Sequence, residues 1–160
     1  MYMPSNKLMT RKEARELSLH LLFSMDFNLE DDIESQILSE LDAERFTTLR
    51  SEHQLYSNLP DDKQKEYILK LVEGVTAHYI ELNHFIEKYS VGWKLNRLSH
   101  VCGCILRICM YEIKYIDDIP SAASINEAIE LAKKYESSET ASFINGILGA
   151  FMREEMSVKE

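Results

Sequence analysis

Apolar residues recur along much of this chain at the three- and four-residue spacing of amphipathic helices. The most regular run follows Pro60 and consists of Ile68, Leu71, Val72, Val75 and Tyr79. Asp61 precedes this run and can cap the first turn of a helix through its carboxylate. The apolar positions shift at about Ala77 and stop near Tyr89. This pattern predicts a helix that bends near Ala77 and ends near Tyr89.

The first helix is predicted from Thr10 to about Asn28. Thr10 and Glu13 have the spacing of a capping box, in which each side chain accepts a backbone N–H of the first turn. The predicted helix buries four apolar side chains, Ala14, Leu17, Leu21 and Met25. It directs three charged side chains away from that side, Arg11, Arg15 and Glu16. The stretch 29–60 predicts one short helix followed by an irregular acidic segment.

A buried central helix is predicted from Leu95 to Tyr115, because the chain is apolar there on nearly every side. Arg107 is the only charged residue between Arg97 and Glu112. Two aspartates and a proline within 117–120 then break this helix.

Two further helices are predicted after this break. Ser124 and Glu127 have capping-box spacing, which predicts a helix start at Ser124. The inward residues of that helix are Ile125, Ala128, Ile129 and Ala132. The last helix is predicted over about 139–155 and buries Ile144, Ile147, Leu148 and Phe151. Since no alternating strand pattern competes with these helices, the pattern predicts an all-α fold.

The amino-acid composition supports this helical interpretation. Five glycines and 3 prolines in 160 residues are too few for a β-sandwich or barrel, which needs a tight turn about every 8–12 residues. The apolar fraction of 45% allows a sizeable core. The length is that of a single domain, since domains usually span about 100–200 residues.

The sequence lacks the features of membrane or secreted proteins. No uncharged apolar run reaches 18 residues, and the N-terminus lacks the apolar stretch of a signal peptide. We therefore expect a cytosolic protein with no membrane partner. Three cysteines, an odd number, do not make a disulfide framework, so we expect free thiols.

Charge is distributed unevenly along the chain. The net charge of −9 argues against a uniformly basic nucleic-acid binder. Residues 30–66 carry 11 acids and 4 bases, whereas residues 1–12 carry three bases and no acid. The basic character is therefore local to the N-terminus.

This basic end coincides with the start of the first predicted helix. Arg11 and Lys12 lie in its first turn, where the helix dipole already presents partial positive charge. An external anion such as phosphate would be bound at this point by the free N–H groups and the basic side chains together. The alternative is a solvated helix end, with Glu13 and Glu16 pairing locally.

Metal and catalytic chemistry are not predicted. On a helix, Cys102 and Cys109 share one side while His100 and Cys104 share roughly the opposite one, so the four cannot converge on one zinc ion. The five histidines are dispersed without a nucleophile beside them, and the glycines form no phosphate loop. We expect no enzyme activity, no metal and no cofactor.

Five segments occur in a characteristic order along the chain. They are Ala14-Arg15-Glu16 after bases, Cys104-Ile-Leu-Arg107 through Tyr111-Glu112, Ile119-Pro120, Ile125-Asn-Glu-Ala-Ile-Glu-Leu-Ala-Lys133 and Phe143-Ile-Asn-Gly-Ile-Leu148. In order and spacing they resemble the NusB family of bacterial transcription antitermination factors. The resemblance is highly specific over about 93–151, moderate over 10–28 and weak in the acidic middle.

This resemblance implies one NusB-like domain over 1–160, built from two small helical bundles over 10–89 and 93–156. It implies binding to single-stranded boxA RNA of ribosomal RNA leader transcripts, without enzyme activity or cofactor. It also implies a protein partner, the small-subunit ribosomal protein NusE, with which the family loads RNA onto RNA polymerase in an antitermination complex. We expect the chain itself to be a monomer or a weak homodimer.

The resemblance also implies which residues contact RNA. They are Lys7, Arg11, Lys12, Arg15, Phe23, Glu139 and Phe143. Glu13 stands where the family commonly has another base, which weakens the basic patch. Phe23 replaces a usual tyrosine and can still stack on a base. Apolar periodicity alone would instead place Phe143 in the core.

Three matching positions are interpreted as structural, namely Arg107, Asn126 and Asn145. The two asparagines are expected to cap or bridge helices through amide hydrogen bonds. At Cys102-Gly103 the family more often has an acid and a base, so a charged contact to the ribosomal protein is missing there.

Two other functions are compatible with parts of the sequence. A domain similar to NusB occurs fused to an RNA methyltransferase, but 160 residues leave no room for a cofactor-binding domain. A helical adaptor without RNA contact would be consistent with the net charge of −9.

Overall fold

The computed structural model describes residues 8–24, 32–50, 53–90 and 98–156. These ranges are helical and contain no strand, which confirms the all-α prediction. The α-helices within them are α1 (Arg11–Ser24), α2 (Ile33–Glu40), α3 (Ala43–Leu49), α4 (Asp62–Ala77), α5 (Tyr79–Tyr89), α6 (His100–Tyr115), α7 (Ser121–Tyr135) and α8 (Ser138–Glu155). A short 3-10 helix, Gln54–Ser57, precedes α4. No helix in these ranges is long and apolar enough to cross a membrane.

The predicted caps of α1 and α4 are present. The Thr10 Oγ1 accepts the Glu13 N–H at 3.1 Å, and Glu13 Oε1 accepts the Thr10 N–H at 3.0 Å. Asp61 Oδ1 accepts the Gln64 N–H at 2.9 Å. Both helices therefore begin where local side-chain chemistry satisfies N–H groups that the helix itself leaves unpaired.

Burial along α1 is wider than predicted. Ala14, Leu17 and Leu21 are buried, as expected, and Met25 lies outside the described residues. Arg15 and Glu16 are also buried, at 5% and 8% exposure, so the prediction that they point away from the buried side was wrong. The six residues 14–19 are all buried, and at about 100° per residue such a run covers every direction around the helix.

The acidic middle of the chain is more ordered than predicted. Instead of one helix and an irregular segment, it contains α2 and α3, whose N-termini are capped by the carboxylates of Asp32 and Asp42. Phe46 of α3 is fully buried and contacts Tyr56 edge-to-face, with ring centroids 5.1 Å apart. The acids thus include helix caps, and the scattered apolar residues anchor these short helices.

The buried central helix and the break after it are confirmed, but the helix begins at His100 and not at Leu95 as predicted. Every residue of α6 from Cys102 to Ile113 is buried, and the Ser99 Oγ caps its first turn by accepting the Cys102 N–H at 3.1 Å. The bend predicted near Ala77 is the break between α4 and α5. Gly74 allows Tyr111 to approach α4 closely, because a Cβ at this glycine would lie 1.9 Å from the ring.

The predicted start of α7 was wrong. This helix begins at Ser121, directly after Pro120, whose φ of −60° suits a helix start. Ser124 is 1% exposed inside the first turns and therefore does not cap the helix. Helix α8 begins near the predicted position, capped by Ser137, and buries all four predicted residues, Ile144, Ile147, Leu148 and Phe151.

The chain divides into two compact units, residues 1–73 and 74–160. The division differs from the predicted one, which placed the residues of α5 in the first bundle. Helix α5 belongs to the second unit because it contacts α6 and α8. One such contact is between Phe85 and Phe151, whose ring centroids are 5.2 Å apart.

Candidate nucleic-acid interface

In the first unit, Arg11 is held against α4 by two contacts. Its Nε donates a hydrogen bond of 3.0 Å to Gln64 Oε1, and its guanidinium carbon lies 4.0 Å from the centre of the Tyr67 ring. Gln64 and Tyr67 are both buried, so they form a fixed support. The half-buried guanidinium is therefore oriented by the protein before any ligand binds.

Arg15 lies near the same tyrosine but is almost completely buried. Its guanidinium carbon is 5.8 Å from the centre of the Tyr67 ring, and the residue is 5% exposed. Lys12, between the two arginines in sequence, is exposed. Of the basic residues predicted to contact RNA, Lys12 and Arg11 thus have accessible surface, whereas Arg15 has almost none; Lys7 lies outside the described residues.

Glu13 has a local structural role at this helix end. One carboxylate oxygen accepts the Thr10 N–H, and the other accepts the Asn58 Nδ2 at 3.2 Å. Both Glu13 oxygens therefore accept hydrogen bonds from neutral donors. These two bonds explain why an acid is suitable at this position, where the family commonly has a base. The carboxylate also suits this position because it faces the positive end of the helix dipole.

Phe23 lies in the last turn of α1 and is 48% exposed. A large aromatic ring with this exposure is available for stacking. The structure therefore places Phe23 where the predicted contact with a base is sterically possible.

In the second unit, a groove of about 300 Å³ lies where α6 and α8 begin. It is lined by Leu98, Ser99, Cys102, Glu136, Glu139, Thr140 and Phe143. Two of these residues, Glu139 and Phe143, were predicted from the sequence to contact RNA. They lie one helical turn apart on α8, which explains why they face the same groove.

Phe143 does not have the position that apolar periodicity alone would assign to it. Its neighbour Ile144 is fully buried, whereas Phe143 is half-buried and lines the groove. Part of the Phe143 side chain is therefore accessible at the groove. Glu139 is exposed at the same groove.

Polar contacts organise one side of the groove. The Ser99 Oγ donates a hydrogen bond to Glu136 Oε1 and accepts the Cys102 N–H at 3.1 Å. Burial, with the nearby Glu136 carboxylate, raises the pKa of the Cys102 thiol to about 11. Cys102 is therefore a neutral thiol at physiological pH, and Glu136 is held in place by Ser99.

Arg107 lies elsewhere in the second unit and is buried. Its Nε donates to Asn83 Oδ1 at 2.7 Å, and its guanidinium carbon lies 4.5 Å from the centre of the Tyr79 ring. A Cβ at Gly103 would be 3.1 Å from two guanidinium nitrogens, so a larger residue there would press on this arginine. These contacts fit the structural role predicted for Arg107.

The other two residues predicted to be structural, Asn126 and Asn145, are exposed on α7 and α8. Their bridging role remains a prediction. Within the described residues, no group of three or more His, Cys, Asp or Glu side chains could hold a metal ion. The three cysteines are free and buried.

Several residues of these two sites were not predicted from the sequence. Gln64 and Tyr67 support Arg11 from 53 and more residues away, and no local pattern indicates that contact. Ser99 could have been predicted as a helix cap, because a serine just before an apolar run is a typical helix start. Glu136 carries no comparable signal, since its position depends on the end of α7.

The fold defined by these helices is that of known NusB structures. Thermotoga maritima NusB superimposes with a TM-score of 0.73 and 32% sequence identity, covering 92% of this chain and 94% of that chain. A chain in the crystal structure of a plectonemic RNA supercoil superimposes with a TM-score of 0.67 and 25% identity, covering 92% and 96%.

Sequence comparison leads to the same group of proteins. The family model described as the NusB family matches residues 12–153. Transcription antitermination protein NusB of Clostridium kluyveri is 46% identical over 152 residues, covering 92% of this chain and 97% of its own length. The corresponding protein of Alkaliphilus oremlandii is 42% identical over 147 residues, covering 92% and 96%. The chain therefore belongs to the NusB family of transcription antitermination proteins.

Proposed function

We propose that this protein binds boxA-type RNA of ribosomal RNA transcripts together with NusE, and acts in the antitermination complex of RNA polymerase. The observation that carries this proposal is the 46% identity to a transcription antitermination protein over almost the whole of both chains. The protein acts by recognition, without a cofactor.

The start of α1 supports the proposal through charge that is already in position. Arg11 is fixed by Gln64 and Tyr67, so little side-chain freedom is lost when its guanidinium contacts a phosphate. Lys12 is exposed beside it, and Lys7 adds charge from the preceding segment. Buried Arg15 contributes mainly by supporting Tyr67, and through it Arg11.

Partly exposed aromatic side chains supply the second type of contact. Phe23 and Phe143 each have a partly exposed ring, and a ring of this kind stacks on an unpaired base. Glu139 beside Phe143 accepts hydrogen bonds from a base edge. These contacts require bases that are not paired in a duplex, in agreement with a single-stranded target.

An RNA titration tests the proposal directly. A labelled boxA-like RNA and a scrambled RNA of the same composition are titrated with the protein, with and without NusE, and fluorescence anisotropy is recorded. We expect preference for boxA-like RNA and tighter binding with NusE. Three phosphate contacts, from Lys7, Arg11 and Lys12, predict a slope of log affinity against log salt of about −2. A flat salt response, or equal affinity for the scrambled RNA, contradicts the proposal.

A further inference from the structure

Two lysines of α4 lie beside the point where the start of α1 contacts that helix. The Arg11 guanidinium is held there by Gln64, whose Oε1 accepts the Nε–H at 3.0 Å, and by the Tyr67 ring, whose centre is 4.0 Å away. Lys63 precedes Tyr67 by four residues and Lys70 follows it by three, so each lies about one helical turn from this tyrosine. The basic start of α1 is therefore followed by basic side chains of a second helix.

Helix geometry places Lys63 and Lys70 on one line along α4, which we call the α4 lysine line. Seven residues at about 100° each complete two turns to within about 20°, and a rise of about 1.5 Å per residue separates the two positions by about 10 Å along the axis. Tyr67 lies about 40–60° around the helix from this line. Since both lysines are exposed, the line presents two positive charges to solvent beside the ring that supports Arg11.

The two lysines are not paired with acids of the protein. Among the described residues, neither Lys63 nor Lys70 forms an ion pair or a hydrogen bond through its ammonium group. Glu66 lies between them at the spacing of a helical ion pair and is exposed, but it pairs with neither lysine. Both ammonium groups therefore keep their full capacity to bind an anion from outside the chain.

We infer that the α4 lysine line is a second phosphate-binding surface, along which the RNA strand continues after it leaves the start of α1. The inference rests on the proposed RNA binding and adds two contact residues, Lys63 and Lys70, on a different helix. Each ammonium is a point charge that contacts a phosphate and carries no information about the base. The α4 lysine line therefore adds affinity for RNA outside the boxA-type segment, without sequence preference.

Charge alone would also suit an acidic segment of a protein partner. RNA is favoured because the α4 lysine line continues the basic surface of Arg11 and Lys12, which the proposed function assigns to RNA. A protein interface, in contrast, usually has an aromatic or apolar centre and is depleted in lysine. No large apolar side chain of α4 is among the exposed ones in the described residues, so the line lacks such a centre.

Three labelled RNAs test this inference: a boxA-like RNA, and the same RNA with a hexauridine extension at its 5′ end or at its 3′ end. The affinity of each for the full chain is measured by fluorescence anisotropy over a range of salt concentrations, with and without NusE. The boxA-like RNA should have the slope of about −2 that three phosphate contacts predict. One of the two extended RNAs, as set by the direction of the strand, should bind more tightly with a slope of about −3.5, because each further phosphate contact adds about 0.7.

Substitutions on α4 make the test specific for the line. Lys63→Gln and Lys70→Gln should each reduce the steeper slope by about 0.7, and the double variant should return it to about −2. Lys65→Gln is the matched control, because it removes the same charge from roughly the opposite side of α4 and should keep the steeper slope. Since Lys63 and Lys70 are exposed, their variants are expected to fold normally, which circular dichroism checks.

The outcomes separate this inference from the proposed function. If neither extension steepens the slope, or if the double variant keeps the steeper slope, the α4 lysine line does not contact RNA while boxA binding stands. If Lys65→Gln reduces the slope as much as Lys63→Gln, the effect is one of total charge and the inference is overturned. If the double variant weakens NusE binding and leaves every RNA slope unchanged, the line is a protein site and the inference is likewise wrong. If none of the three RNAs binds under any condition, both proposals fail.

Discussion

Replacing Phe143 by alanine separates a core role of this ring from a binding role. The ring lines the groove and is half-buried, so its removal widens an existing depression and leaves no closed cavity. Full burial of a phenylalanine side chain stabilises a protein by about 1.5–3 kcal/mol. A half-buried ring without a cavity term should therefore contribute about 1 kcal/mol to folding.

Phe151 on the same helix is the matched control. It is 0% exposed and packs edge-to-face on Phe85, so Phe151→Ala leaves a cavity and should cost about 3–5 kcal/mol. For a protein of this size, 1 kcal/mol corresponds to about 2–4 °C in melting temperature. We expect a decrease of about 2–4 °C for Phe143→Ala and of roughly 6–20 °C for Phe151→Ala.

RNA affinity should show the opposite order. Loss of a stacking ring costs about 1–3 kcal/mol of binding, which is roughly a 5- to 150-fold decrease in affinity. Phe143→Ala should show this decrease, and Phe151→Ala should bind RNA normally at temperatures where it is folded. Thermal melting by circular dichroism and RNA titration of both variants measure the two effects. The reasoning is refuted if Phe143→Ala is destabilised as much as Phe151→Ala and binds RNA with unchanged affinity per folded molecule.

Three further predictions follow from individual contacts. Arg11→Ala should weaken RNA binding and reduce the log–log salt slope by about 0.7, with helical circular dichroism retained; an unchanged slope would exclude a phosphate contact. Gly74→Ala should destabilise folding by about 1–3 kcal/mol in urea denaturation, because the added Cβ overlaps the Tyr111 ring, and Tyr111→Leu should relieve most of this loss. Burial alone would raise the pKa of the Glu81 carboxyl. Hydrogen bonds that Lys114 and Tyr115 donate to this carboxylate outweigh burial and lower the pKa below its ordinary 4.5. The resulting stability is present above pH 4.5 and is lost as the pH falls through the lowered pKa, so Glu81→Gln should flatten acid denaturation curves in that range.

Helix starts were predictable where the chemistry is local. The reciprocal hydrogen bonds of Thr10 and Glu13, and the cap provided by Asp61, involve residues within one turn, so their spacing in the sequence is sufficient. The failure at Ser124 has the same explanation. Two local signals compete there, and the fixed φ of Pro120 starts the helix earlier than the capping-box spacing indicates.

Family membership was also predictable, since it depends on the order and spacing of motifs along the chain. The matching motifs lie mostly in α6, α7 and α8, and the family model confirms the resemblance over residues 12–153. The sequence alone therefore determined the fold class and the group of related proteins. Through the resemblance it also named Glu139 and Phe143 as expected RNA contacts, and the structure places both at one groove.

Contacts between distant segments were decided only by the tertiary structure. Periodicity gives the direction of a side chain around its own helix, but burial depends on what the other helices cover. For this reason Arg15 was predicted to be exposed and is buried, and the support of Arg11 by Gln64 and Tyr67 was not predicted. The groove at Phe143 has the same origin, because Ser99 and Glu136 reach it from the ends of two other helices, 37 residues apart in the chain.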